Sequence, residues 1–233
     1  GWADRVADEL AAHSTSFQYA NFAVRGKLLE QIVEEQLSVA LPLATGPATL
    51  MSFHAGANNL LRPKVNIEAV NRLYRDAVSE IHSTRARLVL FTIREVPEPS
   101  SKLEHIWNER FKPFNENVRQ VAQASNAIII DPNQFITLGD PRLLAKDRLH
   151  LSSEGHRRMA AAVLCQLSLP HDDDWLDPLP ARSRPSALRE TASTVAWAAV
   201  FVVPWILRRL LKISSGDKRT AKFPELTGWP LFQ

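Results

Sequence analysis

The sequence predicts an α/β fold built on a mostly parallel sheet. Two observations carry that reading. Short apolar runs alternate with helix-length segments whose apolar residues recur every three to four positions, the pattern of βαβ units. One run, "ARLVLFTI", is apolar without alternation, as a strand covered on both faces must be. At 233 residues, 45% hydrophobic and 23% charged, the chain suffices for one sizeable domain plus an extension.

The elements follow in order. Trp2, Val6 and Leu10 share one helix face. "FQYANFAV" is a strand ending in a turn, and "GKLLEQIVEEQL" restores helical spacing through Leu29, Ile32, Val33 and Leu37. "ATLMSFHAG" is the second strand, closed by Gly56. "NIEAVNRLYRDAVSEIH" is amphipathic, with Ile67, Val70, Tyr74, Ala77 and Ile81 inward. After the strand "ARLVLFTI", a long loop from Glu95 to Pro113 is the expected place for substrate selection. "FNENVRQVAQASN" is helical, "AIIID" is a short strand, and a helix over 153–168 completes the domain. Functional residues of such a sheet gather at the carboxyl ends of its strands. Here those ends deliver Asn21 to Gly26, Gly56 to Asn59, and the Asp131 loop that leads to Asp147 and His150.

From Pro170 the character changes, which suggests a domain over 1–170 and an extension over 171–233. "LPHDDDWLDPLPARSRPS" is a proline- and acid-rich loop, and "ALRETASTVAWAAVFVVPWILRRLLK" a helix with a flexible basic end. The segment Val195 to Leu207 is apolar but shorter than the ~20 residues that span a bilayer, and Pro204 interrupts it. Arg208, Arg209 and Lys212 follow, with Trp197 and Trp205 nearby. Two readings are open: a helix packed over the domain, which is preferred, and weak membrane-surface contact through 195–212.

Several classes are disfavoured. A net charge of +3 without an aromatic-plus-basic motif argues against nucleic acid, and the lack of a Gly-rich phosphate loop argues against nucleotides. The single cysteine, Cys165, forms no internal disulfide and fits a cytoplasmic protein. Its helical apolar setting marks it as a packing residue. "HDDD" at 171–174 reads as a solvated loop rather than a metal site, and His54 as a core or supporting residue. "GWADRVADEL" begins within an element, so sequence upstream of Gly1 is expected.

Three motifs remain. In "DRLH" a three-residue spacing lets Asp147 reach the Nδ1–H of His150, fixing its tautomer and stabilising the imidazolium. Alone, that spacing is more often a surface pair. Here Ser152 or Ser153 can cap the following helix, and Glu154 suits its first turn, which holds His150 beside a rigid element. In "GANN" an Asn amide at a strand end is a good donor to a developing oxyanion, although Gly and Asn suit a plain turn equally. In "NFAVRG" a glycine lets a backbone N–H approach a substrate closely, and again a turn explains it.

Taken as an ordered set, these motifs resemble the SGNH hydrolases, the GDSL-like lipase/acylhydrolase family. Its Asn-x-small-x-x-Gly block is matched by Asn21, Ala23 and Gly26. Its Gly-x-Asn-Asp block is matched by Gly56 and Asn58, with Asn59 in place of the aspartate. Its Asp-x-x-His block is matched by Asp147 and His150, followed by Gly155 and His156. "GWADRVADEL", "DDDWLDPLP" and "PWILRR…SSGD" are further similar to a group of actinobacterial members. The resemblance implies a flavodoxin-like three-layer α/β/α fold plus a C-terminal helical extension. It also implies His150 as general base, Asp147 as its orienting partner, Gly26 and Asn58 as oxyanion donors, and Gly56, Asn59 and Asn21 in supporting positions. No cofactor or metal is implied, and the substrate is a small-molecule or lipid ester.

The family's Gly-Asp-Ser block, which supplies the nucleophile, has no match: "LGDPR" and "SGDKR" lack the serine. Ser14, Ser16, Ser52, Ser152 and Ser153 lie in the wrong places relative to strands or to His150. The nucleophile is therefore expected upstream, at the end of a first and central strand absent from these residues. Residues 1–233 alone are expected to be inactive and poorly stable, because the lost strand leaves backbone groups unpaired at ~1–3 kcal/mol each. A non-catalytic binding or regulatory protein on the same scaffold is the alternative.

Overall fold

β3 (Arg87–Phe91) shows how the layers are arranged. Strand geometry sends successive side chains to opposite faces, and Leu88, Val89, Leu90 and Phe91 are all buried. Leu88 and Leu90 join one apolar cluster, Val89 and Phe91 another. The computed structural model describes residues 1–181, 186–211, 214 and 216–230. In it β3 is the middle strand of a parallel sheet, flanked by β2 (Leu50–Phe53) and β4 (Ile128–Ile130). The register sets Leu50 against Arg87 and Phe91 against Ile130.

Helices cover both faces. α5 (Ile67–Ser83) and α6 (Lys102–Ala124) supply Tyr74, Ile81, Phe111, Phe114 and Val118 to the first cluster. α1 (Trp2–Ala12) and α7 (Ser153–Gln166) supply Val6, Ala160, Ala161 and Val163 to the second. This is the expected α/β/α sandwich. Cys165 is half-buried against the second cluster, as its setting predicts.

α6 corrects the sequence reading. The predicted loop from Glu95 to Pro113 ends at Ser101, where a capping box begins the helix: Ser101 Oγ accepts from the Glu104 amide and the Glu104 carboxylate accepts from the Ser101 amide. Pro113 lies inside the helix. An interior proline costs ~3 kcal/mol, but Phe111 and Phe114 beside it are fully buried, at ~1.5–3 kcal/mol each. Burial outweighs the break.

The second correction concerns the tail. β1 (Gln18–Asn21) pairs antiparallel with β5 (Phe223–Gly228), in a ribbon separate from the three-stranded sheet. The predicted flexible end is thus a strand. Tyr19 packs against Phe223 and Trp229 at centroid distances of 5.6 and 5.0 Å. Lys222 Nζ meets Asp4 at 2.7 Å, and Trp229 Nε1 donates to Asp8 at 2.8 Å. Pro224 is tolerated because this strand is an edge.

α2 (Leu29–Ile32) runs through a π-turn into α3 (Ser38–Ala40), and α4 (Ala57–Leu60) follows β2. In the extension, α8 (Ala187–Trp197) continues through a π-turn, Ala198–Val202, into α9 (Val203–Leu210). This helix touches the domain through Trp197 but is not packed over it, because Val195, Val200, Val203 and Leu207 are exposed. The Arg209 side chain and Lys212 lie outside the described residues.

Candidate active site

Residues 144–151 form a tight loop. Leu144 bridges Leu151, the Ala145 amide donates to the His150 carbonyl at 2.7 Å, and the Ser152 amide to Leu143 at 2.7 Å. Within it one carboxylate does two jobs. Asp147 Oδ1 accepts from the amides of Leu149 and His150 at 3.1 and 3.0 Å, and Oδ2 lies 2.6 Å from His150 Nδ1. Partial burial pushes the Asp147 carboxyl up, but the His150 bond and the two amides outweigh it and hold it below the usual carboxylate range. An ionised carboxylate only accepts, so the proton between them sits on Nδ1; in the neutral imidazole it is then Nε2 that carries the lone pair. Among the described residues Nε2 has no partner, and the ring is exposed. Ser152 caps α7 by accepting from the Gly155 amide, with Glu154 in the first turn.

The extension braces this loop. Trp197 Nε1 donates to the Asp147 carbonyl at 3.0 Å. Arg148, in left-handed backbone at φ 57, lays its guanidinium over the Trp197 ring at 4.9 Å and donates to Ser193 Oγ.

The second cluster is built on α4. Gly56 opens this helix at φ 99, and a Cβ there would lie 2.6 Å from the Phe114 ring, so both backbone and space demand glycine. Asn58 Nδ2 donates to the Lys27 carbonyl at 2.9 Å. Asn59 is buried. Its Oδ1 accepts from the Leu29 amide at 2.8 Å and its Nδ2 donates to the Glu30 carboxylate at 2.8 Å. These bonds fix the loop that carries Gly26, at φ 80, whose amide donates to nothing among the described residues. Asn21 shapes the same loop by accepting from the Ala23 amide and donating to Tyr19 Oη.

The GDSL-like Lipase/Acylhydrolase family profile matches residues 1–158, a span that contains both clusters. The chain belongs to this family. Solved structures agree on the fold. An acetylxylan esterase from Geobacillus stearothermophilus aligns at TM-score 0.51 and 19% identity, covering 68% of this chain and 72% of that one. A psychrotrophic esterase, EstA, from Pseudoalteromonas sp. aligns at TM-score 0.54 and 16% identity, covering 72% and 86%. No curated protein sequence matches the chain.

In this GDSL-like chain the structure joins Asp147 to His150, and Asn58 to the loop of Gly26. Among the described residues no hydrogen bond links one pair to the other. A cleft of about 300 Å³ opens beside Lys27, between Phe22, Glu35 and Arg219, but neither Asn58 nor His150 lines it. His54 keeps accessible surface but is surrounded by protein: it stacks on Phe91 at 5.0 Å, and burial pushes its imidazole down to about 4, which fits a core or supporting residue. His156 accepts from the Trp2 amide at 3.2 Å, which ties α7 to α1. Asp172 and Asp174 both take hydrogen bonds from Arg157, at 2.8 and 2.7 Å. Among the described residues no three His, Cys, Asp or Glu side chains converge as metal ligands.

Sequence reasoning missed two contacts. Trp197 reaches the Asp147 carbonyl across 50 residues, and Ser214 Oγ donates to the Gly26 carbonyl across 188. The extension therefore touches both clusters. Separations of that size leave no periodic trace in a sequence.

Proposed function

We propose that this member of an ester-hydrolase family is a serine esterase or acylhydrolase working through an acyl-enzyme, with residues 1–170 as its hydrolase domain. His150 Nε2 takes the proton of a serine hydroxyl as its oxygen bonds to the ester carbonyl carbon. Asp147 stabilises the imidazolium that forms. The Gly26 N–H and the second Asn58 Nδ2–H donate to the oxyanion. Collapse of the tetrahedral intermediate breaks the ester C–O bond, and Nε2 returns the proton to the leaving alcohol. Water, deprotonated by the same nitrogen, then releases the acid.

The serine, in this proposal, belongs to a Gly-Asp-Ser block encoded upstream of Gly1. The observation that carries the reading is the 2.6 Å contact between Asp147 Oδ2 and His150 Nδ1, which orients Nε2 as a base.

The test uses the full-length, serine-containing protein and a short-chain acyl ester. His150→Ala is expected to lower kcat by ~10⁴-fold, and unchanged activity would remove His150 from the mechanism. A gene without an upstream serine would make the protein a non-catalytic scaffold instead.

A further inference from the structure

The helical rod of α8, the π-turn and α9 carries no charged residue from Thr191 to Leu207. The stretch Thr191–Arg208 is long and apolar enough to cross a membrane, and none of it is buried. A helix docked on a soluble domain turns its apolar side inward and a polar side to water. From Val195 to Leu207 this one has no charged or hydroxyl side chain on any side. Trp197, Phe201, Val202 and Trp205 are half-buried, while Val195, Val200, Val203, Ile206 and Leu207 are 45–64% exposed. Such a continuous apolar face on a protein surface marks a site of contact with something equally apolar.

The route of the chain decides the orientation. Before the rod, Trp175 is buried in the apolar cluster of α1 and α7. After it, Ser214 bonds Gly26 and β5 pairs with β1. Both ends thus return to one domain. A helix crossing ~30 Å of hydrocarbon would place them on opposite sides of the bilayer. The rod must therefore lie in the plane of the interface. Charge suits an anionic surface: Arg189, beside Glu190, and Arg208 flank the apolar stretch, and Lys218 and Arg219 follow Asp217 beyond it.

We propose that the exposed face of α8–α9 docks the protein on an anionic lipid bilayer, with the helix lying along the membrane surface. Docking stands apart from the esterase reading. Resting on that reading, the Trp197 bond to the Asp147 loop, where Leu149 is also exposed, brings the His150 site to esters presented by the membrane.

Co-sedimentation of the full-length protein with phosphatidylglycerol-containing vesicles at low salt tests the docking. Binding is expected, and Val203→Glu with Ile206→Glu should weaken it roughly 100-fold by withdrawing two aliphatic side chains from lipid. Arg208→Gln should weaken it roughly fivefold and leave the fold intact. His150→Ala should bind as the wild type does, so failure of the esterase reading cannot imitate failure of docking. Absent binding, or binding that the double variant leaves unchanged, would overturn the proposal. Self-association without vesicle binding, dissolved by the double variant, would also overturn it and assign the face to a second copy of the chain.

Discussion

The two clusters of the candidate site are built in opposite ways. Asp147 and His150 sit three residues apart in an exposed loop and make nearly all their bonds within it. Asn58 meets the Gly26 loop at the Lys27 carbonyl, across 31 residues, and buried Asn59 fastens that loop to α4. Substitutions in the first should therefore change chemistry and spare the fold. Those in the second should change both.

Asp147→Asn makes the sharpest cut. An amide places a donor where Nδ1–H needs an acceptor, so kcat should fall by ~10⁴-fold, with a thermal midpoint close to wild type. A large loss of stability in this variant would break the contrast. Asn58→Ala should lower kcat by ~10²–10³-fold through the lost oxyanion donor. Asn59→Ala, one residue on, strands the buried Leu29 amide and should cost ~1–3 kcal/mol in urea unfolding. If Asn59→Ala unfolds like the wild type, the second cluster is no more embedded than the first.

Smaller effects sharpen the boundary of the first cluster. Trp197→Phe keeps a ring for Arg148 but removes the bond to the Asp147 carbonyl, and roughly a 2- to 10-fold fall in kcat is expected. Beyond the loop, the Arg157 and Arg158 guanidiniums hydrogen-bond Glu154 and hold its carboxyl at about 2, against 4.5 for the free side chain. A depressed carboxylate contributes stability above its unfolded value and loses it as pH falls through the folded one. The small contribution of this half-buried, solvent-screened group should thus fade between about pH 4.5 and about pH 2 in acid unfolding, and Glu154→Gln should abolish that part of the transition.

The same contrast explains what the sequence disclosed. The Asp147–His150 pair depends on a spacing of three, and β3 on an unbroken apolar run, so both are written locally. The start of α6 was also written locally, in Ser101 and Glu104, but Pro113 masked it, since a breaker rule knows nothing of the space Phe111 and Phe114 fill. β5 was illegible for another reason. Tyr19, Asp4 and Asp8, which meet the strand and its flanking Lys222 and Trp229, are more than 200 residues away, and its own Pro224 and Glu225 look like a tail.

The ribbon of β1 and β5 also governs when the protein can finish folding. Lys222 and Asp4 are 218 positions apart, and ribosomes extend chains at ~5–20 residues per second. For roughly 10–40 s of synthesis the first strand waits with its pairing edge open, and a nascent chain needs shielding there until β5 emerges.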